Sequence, residues 1–331
     1  MRLGHQGTGS QTLLVQIVMA LIKGVVIRST GSWVAVMSDD GVIADCRIKG
    51  NFRMKGFRST NPVAVGDLVE YQLQPNEDTG VIHTIHQRHN FIVRKATRLS
   101  KQSHIIASNI DQAVVMATIS SPRTSTGFID RFLVTAEAYH IPVSIFINKC
   151  DLYKDGDLVK LNDMMSLYSS IGYTCFTTSV VSGLGLQEVR SFLSGKVTLM
   201  SGHSGVGKSA LINAIEPGLK QKVGVISEYH HKGKHTTTYA EMLPLAGGGF
   251  VIDTPGIKEF GLIHFDKQEV AERFPEMRVL MHGCQFNNCT HVHEPGCAVK
   301  SALNDGRISK SRYNNYISII NDEYFEEKEW D

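Results

Sequence analysis

Val197-Thr-Leu-Met-Ser-Gly202-His-Ser-Gly-Val-Gly-Lys208-Ser209 is the stretch on which the fold turns. Gly202 to Ser209 match G-x-x-x-x-G-K-[ST], and both flanks suit the motif. The apolar run 197–200 reads as a strand, and Ala210-Leu-Ile-Asn-Ala-Ile215 reads as a helix. Gly202, Gly205 and Gly207 let backbone N–H groups of this loop, through His203, Ser204, Val206 and Ala210, turn inward onto phosphate oxygens. The helix start adds partial positive charge. Lys208 is read as neutralising the β/γ-phosphates and Ser209 as a Mg²⁺ ligand. A chance match in a glycine-rich turn is the competing reading, and the two correct flanks weigh against it.

Two further motifs extend the site. Asp253-Thr-Pro-Gly256 ends a predicted strand over 249–252. There an aspartate can hold the Mg²⁺ shell through water, and the Gly256 N–H can sense a γ-phosphate. Alone it is a common turn. Asn148-Lys149-Cys150-Asp151 follows the apolar run 143–147. Guanine presents two adjacent donors, N1–H and its exocyclic amine, and the Asp151 carboxylate offers two acceptors at that spacing. Adenine lacks the pair, so such a site discriminates on the order of 10⁴-fold. Lys149 can lie along the base, and Asn148 can tie this loop to the phosphate loop. Ser179, after the run 174–178, is expected to offer its backbone N–H to the guanine oxygen. These motifs all lie at carboxyl ends of predicted strands, where open α/β sheets bind ligands.

The surrounding rhythm is α/β. Unbroken apolar runs at 113–119, 143–147, 174–178, 197–200 and 250–252 alternate with helical stretches at 128–140, 157–171 and 186–193. That is the pattern of a parallel sheet with helices on both faces. The guanine motif precedes the phosphate loop by about 50 residues, the reverse of the usual GTPase order. Circular permutation reconciles this with one site, because it changes only which loop is cut. Ahead of this region, short runs at 24–27, 33–37, 42–48, 67–73 and 80–85 are separated by turn signals such as Asp39-Asp40-Gly41 and Asn61-Pro62. Five short strands predict a small barrel, with the OB-fold the leading candidate.

The chain has 331 residues, 42% of them hydrophobic, and a net charge of only +2. One to three domains and ordinary cores are expected. No global field argues for nucleic acid, so any RNA contact must come from local basic patches. Six cysteines in so long a chain do not suggest a disulfide framework, and a reduced compartment fits better. The apolar stretch 13–22 is shorter than the ~18 residues that span a bilayer. It reads as a Gly/Ser-containing leader, or less well as a signal peptide with a weak basic start. Cys284-x₄-Cys289-x-His291-x₅-Cys297 supplies three thiolates and one imidazole, the closed Cys₃His set that structural zinc prefers. His282 and His293 rank behind His291 as ligands, and buried free cysteines are the alternative.

Barrel, permuted GTPase and Cys/His module together resemble the RsgA (YjeQ) family of ribosome small-subunit-dependent GTPases, over roughly residues 23–320. The cysteine spacing also matches that family's pattern. The resemblance implies a switch threonine within Gly233-Lys-His-Thr-Thr-Thr238, where Thr237 is preferred as the residue reaching Mg²⁺ and the γ-phosphate. It also points to His235 for the catalytic water. The position that holds a water-orienting glutamine in Ras-type sites is Ile257 here, which makes no hydrogen bond to water. Slow intrinsic hydrolysis is therefore expected. An ordinary solvated basic loop with His230, His231, Lys232 and Lys234 is the other reading of His235. Arg47, Lys49, Phe52, Arg53, Lys55, Phe57 and Arg58 interleave cations and rings, as an RNA-binding barrel would, or as a solvated hairpin would. Lys300, Arg307, Lys310 and Arg312 form a weaker basic patch.

The expected layout is an N-terminal extension at 1–22, an OB-fold RNA-binding domain at 23–98, a circularly permuted P-loop GTPase domain at 99–264 and a zinc-binding helical module at 265–331. The expected cofactors are one structural Zn²⁺ and Mg²⁺ with GTP or GDP. The expected partners are the small ribosomal subunit and its rRNA, for a cytoplasmic monomer with no membrane attachment. Two rivals stand beside this. One is a nucleotide-switched RNA-binding module in which hydrolysis is incidental. The other is a P-loop ATPase or small-molecule kinase, which Asp151 argues against.

Overall fold

The computed structural model describes residues 20–30, 33–48, 62–75, 77–95, 103–219, 240–253 and 267–321. The barrel strands are β1 (Ile22–Ser29), β2 (Val34–Ser38), β3 (Ile43–Ile48), β4 (Leu68–Leu73) and β5 (Thr79–Ile85), matching the five expected runs. They close in the order β1-β2-β3-β5-β4, with β4 returning to β1 and only the β3–β5 pair parallel. Closure needs β1 to serve two neighbours. Ile22 to Val25 face β4, Gly24 to Ser29 face β2, and a register shift between Val26 and Arg28 bends the strand. Val26, Val34, Val36, Cys46, Val69, Tyr71 and Ile82 fill the interior.

A two-stranded sheet of β6 (Phe91–Lys95) and β7 (Ser103–Ser108) follows, which the sequence reading did not anticipate. The expected boundary at residue 98 lies between them, outside the described residues. Asp67 at the barrel's end is fully buried. It accepts from Arg88 Nε at 2.6 Å, Arg88 Nη2 at 2.6 Å and Ser108 Oγ at 2.6 Å, which fastens the barrel to β7.

The larger sheet runs β10 (Thr174–Thr177), β9 (Val143–Ile147), β8 (Gln112–Ala117), β11 (Val197–Gly202), β13 (Phe250–Asp253), β12 (Glu241–Pro244). All neighbours are parallel as far as β13. The unanticipated β12 is antiparallel and meets β1 through Arg28 and Glu241, so barrel and parallel sheet form one hydrogen-bonded surface. Alternation along β8 sends Ala113, Val115 and Ala117 to one face and Val114 and Met116 to the other. Against the first face pack α1 (Thr126–Ala138) and α2 (Asp155–Ser170), with Ile129, Phe132, Leu133 and Tyr168 inward. Against the second pack α3 (Leu186–Leu193) and α4 (Lys208–Ile215), with Val189, Leu193, Leu211 and Ile212 inward. Helices cover both faces, as the unbroken apolar strands require.

The C-terminal module comprises α5 (Lys267–Glu272), α6 (Pro275–Arg278), α7 (Ala298–Asn304) and α8 (Lys310–Ile320). Its core of Phe274, Met277, Val299 and Tyr316 takes in Val134 from α1. Arg312, expected in an exposed basic patch, is instead 1% exposed. Its Nη1 donates to Asp130 Oδ1 at 2.6 Å, and its Nε and Nη2 donate to Glu276 at 2.7 and 3.0 Å. A buried carboxylate and a partly buried one, 182 and 36 residues away in sequence, draw the guanidinium into the core. Among the described residues, no helix is long and apolar enough to cross a membrane.

Candidate nucleotide site and metal centre

The sheet's strand order reverses between β8 and β11, and the crevice at their carboxyl ends gathers the expected loops. β11 runs through Gly202, which pairs with Met116, while Met200 pairs with Asp253. Two strands thus place the phosphate loop and Asp253 at one sheet end. α4 starts at Lys208 directly after Gly207, whose φ of 101° belongs to glycine.

Gly207 also has a packing reason to lack a side chain. A Cβ there would stand 2.4 Å from Asn148 Nδ2. That amide donates to Val206 O at 2.9 Å, and its Oδ1 accepts from Thr178 Oγ1 at 3.0 Å. Asn148 is buried, so neither bond is shared with solvent. Its backbone O accepts from the Tyr153 hydroxyl, which itself accepts from Ile119 N at 2.9 Å. The expected tie between the guanine-type loop and the phosphate loop is therefore present, with Thr178 and Tyr153 as unanticipated supports. Lys149 takes a φ of 63° and its Nζ donates to Ser121 O at 2.6 Å.

Asp151 is exposed, and its Oδ1 accepts from Ser179 Oγ at 2.5 Å. Ser179 Oγ in turn accepts from Ser182 N at 3.1 Å. The expectation that the Ser179 N–H faces a guanine oxygen needs correction, because that N–H donates to Leu184 O at 3.0 Å. Ser179 orients the carboxylate instead. The return of the loop to Leu184 is what commits its amide, and Ser182-Gly183, with Gly183 at a φ of 79°, makes that turn.

Lys208 Nζ donates to Gly202 O at 2.6 Å and His203 O at 3.1 Å. Burial pushes its pKa down, with Asp253 pulling it back up. Burial raises the Asp253 carboxyl, with Lys208 opposing. Asp253 Oδ1 is buried with no hydrogen-bond partner among the described residues, while Ser209 is exposed on the first turn of α4. A buried, orphaned carboxylate oxygen near Lys208, at the sheet end where the helix carrying Ser209 begins, fits a site for a hard divalent cation. Ser204, Gly205 and Ala210 lie in the same loop and helix start. His203 stacks on Phe128 of α1, with centroids 4.0 Å apart. Gly256, Ile257, His230 to His235 and Thr236 to Thr238 lie outside the described residues.

In the C-terminal module, Cys284, Cys289, His291 and Cys297 bring their ligand atoms within 4.8 Å of one another. The Cys284 and Cys297 sulfurs are 4.0 Å apart, and His291 Nδ1 is 3.6 and 3.4 Å from them. A tetrahedral zinc with bonds of about 2.3 Å to sulfur and 2.0 Å to nitrogen needs S–S and S–N edges of about 3.8 and 3.5 Å. The donor set therefore fits that ion, with Nδ1 as the imidazole ligand. Burial and the neighbouring sulfurs push the Cys289 thiol up to about 12, a cost that a cation would offset. Tyr313 and Tyr316 donate to the His291 and Thr290 carbonyls at 2.7 and 2.6 Å, fixing the ligand loop to α8. Of the barrel's basic stretch, Arg47 lies over the Trp33 ring at 4.2 Å, and 49–61 lie outside the described residues.

This geometry defines a circularly permuted P-loop protein with a guanine-type loop and a separate Cys₃His centre. Comparison with known proteins makes the assignment specific. Residues 85–263 match the model of the RsgA GTPase, and residues 23–82 match that of the RsgA N-terminal domain. The chain belongs to the RsgA GTPase family. It is 52% identical over 301 residues to a Bacteroides fragilis protein named small ribosomal subunit biogenesis GTPase RsgA, covering 91% of this chain and 97% of the relative. A Porphyromonas gingivalis protein of the same name is 50% identical over 308 residues, covering 91% and 97%. The crystal structure of YjeQ from Thermotoga maritima superposes with a TM-score of 0.73 at 34% identity, covering 92% of this chain and 98% of that one. YloQ, described as a circularly permuted GTPase, gives 0.70 at 29%, covering 92% and 95%.

Proposed function

We propose that this chain binds the small ribosomal subunit and couples GTP hydrolysis to its late-stage maturation. The names of the relatives at 50–52% identity support the biological setting. The observation that carries the nucleotide reading is Asn148. One buried amide, 2.9 Å from the Val206 carbonyl, joins a loop suited to guanine to a loop suited to phosphates.

In this reading Asp151, held by Ser179, takes the two guanine donors, and Lys149 covers the base. The loop from Gly202 to Ala210 cradles the phosphates through its N–H groups. Lys208 exchanges its two carbonyl partners for β/γ-phosphate oxygens, a stronger charge-assisted pairing. Ser209 and Thr237 would hold Mg²⁺, with Asp253 supporting its water shell, and the bound ion would supply charge neutralisation on the phosphates. Gly256 senses the γ-phosphate, and His235 orients the attacking water in place of the glutamine replaced by Ile257. With that glutamine missing, turnover is low until a partner completes the site. Zn²⁺ is structural, held by Cys284, Cys289, His291 and Cys297. The barrel stretch from Arg47 to Arg58 contacts rRNA, the protein acts as a monomer, and it works in the cytoplasm.

Two linked measurements test this. GTP should bind far more tightly than ATP, and the protein should co-sediment with purified small subunits when loaded with a non-hydrolysable GTP analogue. Equal affinity for ATP would remove the guanine assignment. Sedimentation indifferent to nucleotide would remove the coupling.

A further inference from the structure

One turn of α1 is gripped from both sides. Outward, Phe128 stacks on His203 of the phosphate loop at 4.0 Å between centroids and 33° between planes. The His203 carbonyl is also a resting partner of Lys208, so the ring sits against the part of the loop that must rearrange around phosphate. On the other side, Asn315 Nδ2 of α8 donates to Thr126 Oγ1 at 3.2 Å and to Asp130 Oδ2 at 2.5 Å. Arg312 Nη1 and Tyr168 Oη donate to Asp130 Oδ1 at 2.6 and 2.7 Å. Asp130 is fully buried and Arg312 nearly so. Such a latch cannot slide without stranding a charge. The same helix α8 carries Tyr313 and Tyr316, whose hydroxyls hold the His291 and Thr290 carbonyls of the metal-ligand loop.

We infer that Phe128 is a positioning residue for the phosphate loop, and that through the latch on its turn nucleotide affinity and zinc affinity depend on each other. This rests on the nucleotide reading above. The module also follows Asp253 to Gly256 in the chain, but the covalent connection is not the link inferred here. Here the link is a packed path: ligand loop, α8, first turn of α1, His203. An intact module holds that turn in place, the ring then holds the phosphate loop in its binding form, and the coupling is positive. By linkage, whatever factor zinc adds to nucleotide affinity, nucleotide adds to zinc affinity.

The test uses the full chain as wild type, Phe128→Leu and Phe128→Tyr. Phe128 is half-buried and packs at the margin of the core, and both substitutions keep a large side chain there beside the inward Ile129, Phe132 and Leu133, so thermal melts of the variants check that α1 stays folded. Affinity for a fluorescent GDP analogue is measured with zinc loaded and stripped. Zinc affinity is measured by chelator competition with and without GDP. In the wild type each ligand should tighten the other by the same factor, roughly twofold to tenfold for one ring stack. Phe128→Leu should bind GDP more weakly by about that factor and lose the mutual dependence, while Phe128→Tyr keeps both. Unchanged GDP affinity in Phe128→Leu, or mutual dependence that survives in it, overturns the inference. So does wild-type zinc affinity indifferent to GDP. A wild type that binds no GDP at all overturns the nucleotide reading itself.

Discussion

Gly207→Ala probes the joint between the two nucleotide loops. The perturbation has two parts. A side chain at φ 101° carries backbone strain of about 1–2 kcal/mol. The new Cβ would also lie 2.4 Å from Asn148 Nδ2, so the amide must leave its place. Asn148 then gives up Val206 O and Thr178 Oγ1, and each buried partner left unmet costs about 1–3 kcal/mol. The sum is roughly 3–8 kcal/mol, or on the order of 10²-fold to 10⁶-fold in nucleotide Kd if it falls on the bound state. Asn148→Ala alone forfeits the same two bonds but vacates the space that alanine at 207 needs. In that background Gly207→Ala should cost only the backbone strain, leaving a coupling of about 2–6 kcal/mol between the positions. The assay is a fluorescent-GDP titration of wild type, both single variants and the double variant, with thermal melts alongside. Effects that add to within about 0.5 kcal/mol would refute the shared-contact reasoning.

Three other outcomes are expected. Arg312→Met strands Asp130 in the core and should destabilise the protein by about 3–5 kcal/mol, seen in denaturant melts. Adding Asp130→Asn should restore part of that loss, and failure to do so would show that the ion pair is not the cause. Asp151→Asn removes one of two charge-assisted acceptors for guanine, and GTP affinity should fall on the order of 10²-fold or more while ATP affinity barely changes. Asp253→Asn should abolish the Mg²⁺ dependence of GTP binding yet raise the melting temperature of the nucleotide-free protein near neutral pH. The sign follows from a raised carboxyl pKa. Such a group's favourable contribution is complete below its unfolded value and lost as pH rises through the folded value, so the neutral variant gains above that range and nothing below it. A melting gain that is constant with pH would contradict the assignment.

Much of the fold was legible because burial on two faces leaves a plain mark. The runs at 143–147 and 197–200 carry no polar alternation, and both became central parallel strands. β12 escaped notice because Glu241-Met-Leu-Pro is four residues long and holds a charge and a proline, and its pairing toward β1 is a single one, Glu241 with Arg28. β6 and β7 went unread, since each makes sense only when paired with the other. Arg312 was misread because nothing near it in sequence reveals Asp130 or Glu276. In the site, identity was easier than orientation. Asn148, Lys208 and Asp253 stand where their motifs imply. The Ser179 amide, the Tyr153 and Thr178 supports and the Phe128 stack depend on how loops from different strands meet, which no single motif encodes.

If the small ribosomal subunit finishes the catalytic site of this GTPase, as proposed, GTP hydrolysis must depend on it. GTP turnover by the zinc-loaded protein, with and without purified small subunits, tests it most directly. Intrinsic hydrolysis should be slow, with strong stimulation by the small subunit and none by the large one. His235→Ala should blunt the stimulation while leaving nucleotide affinity intact. Turnover that is already fast alone, or indifferent to any ribosomal particle, would contradict it.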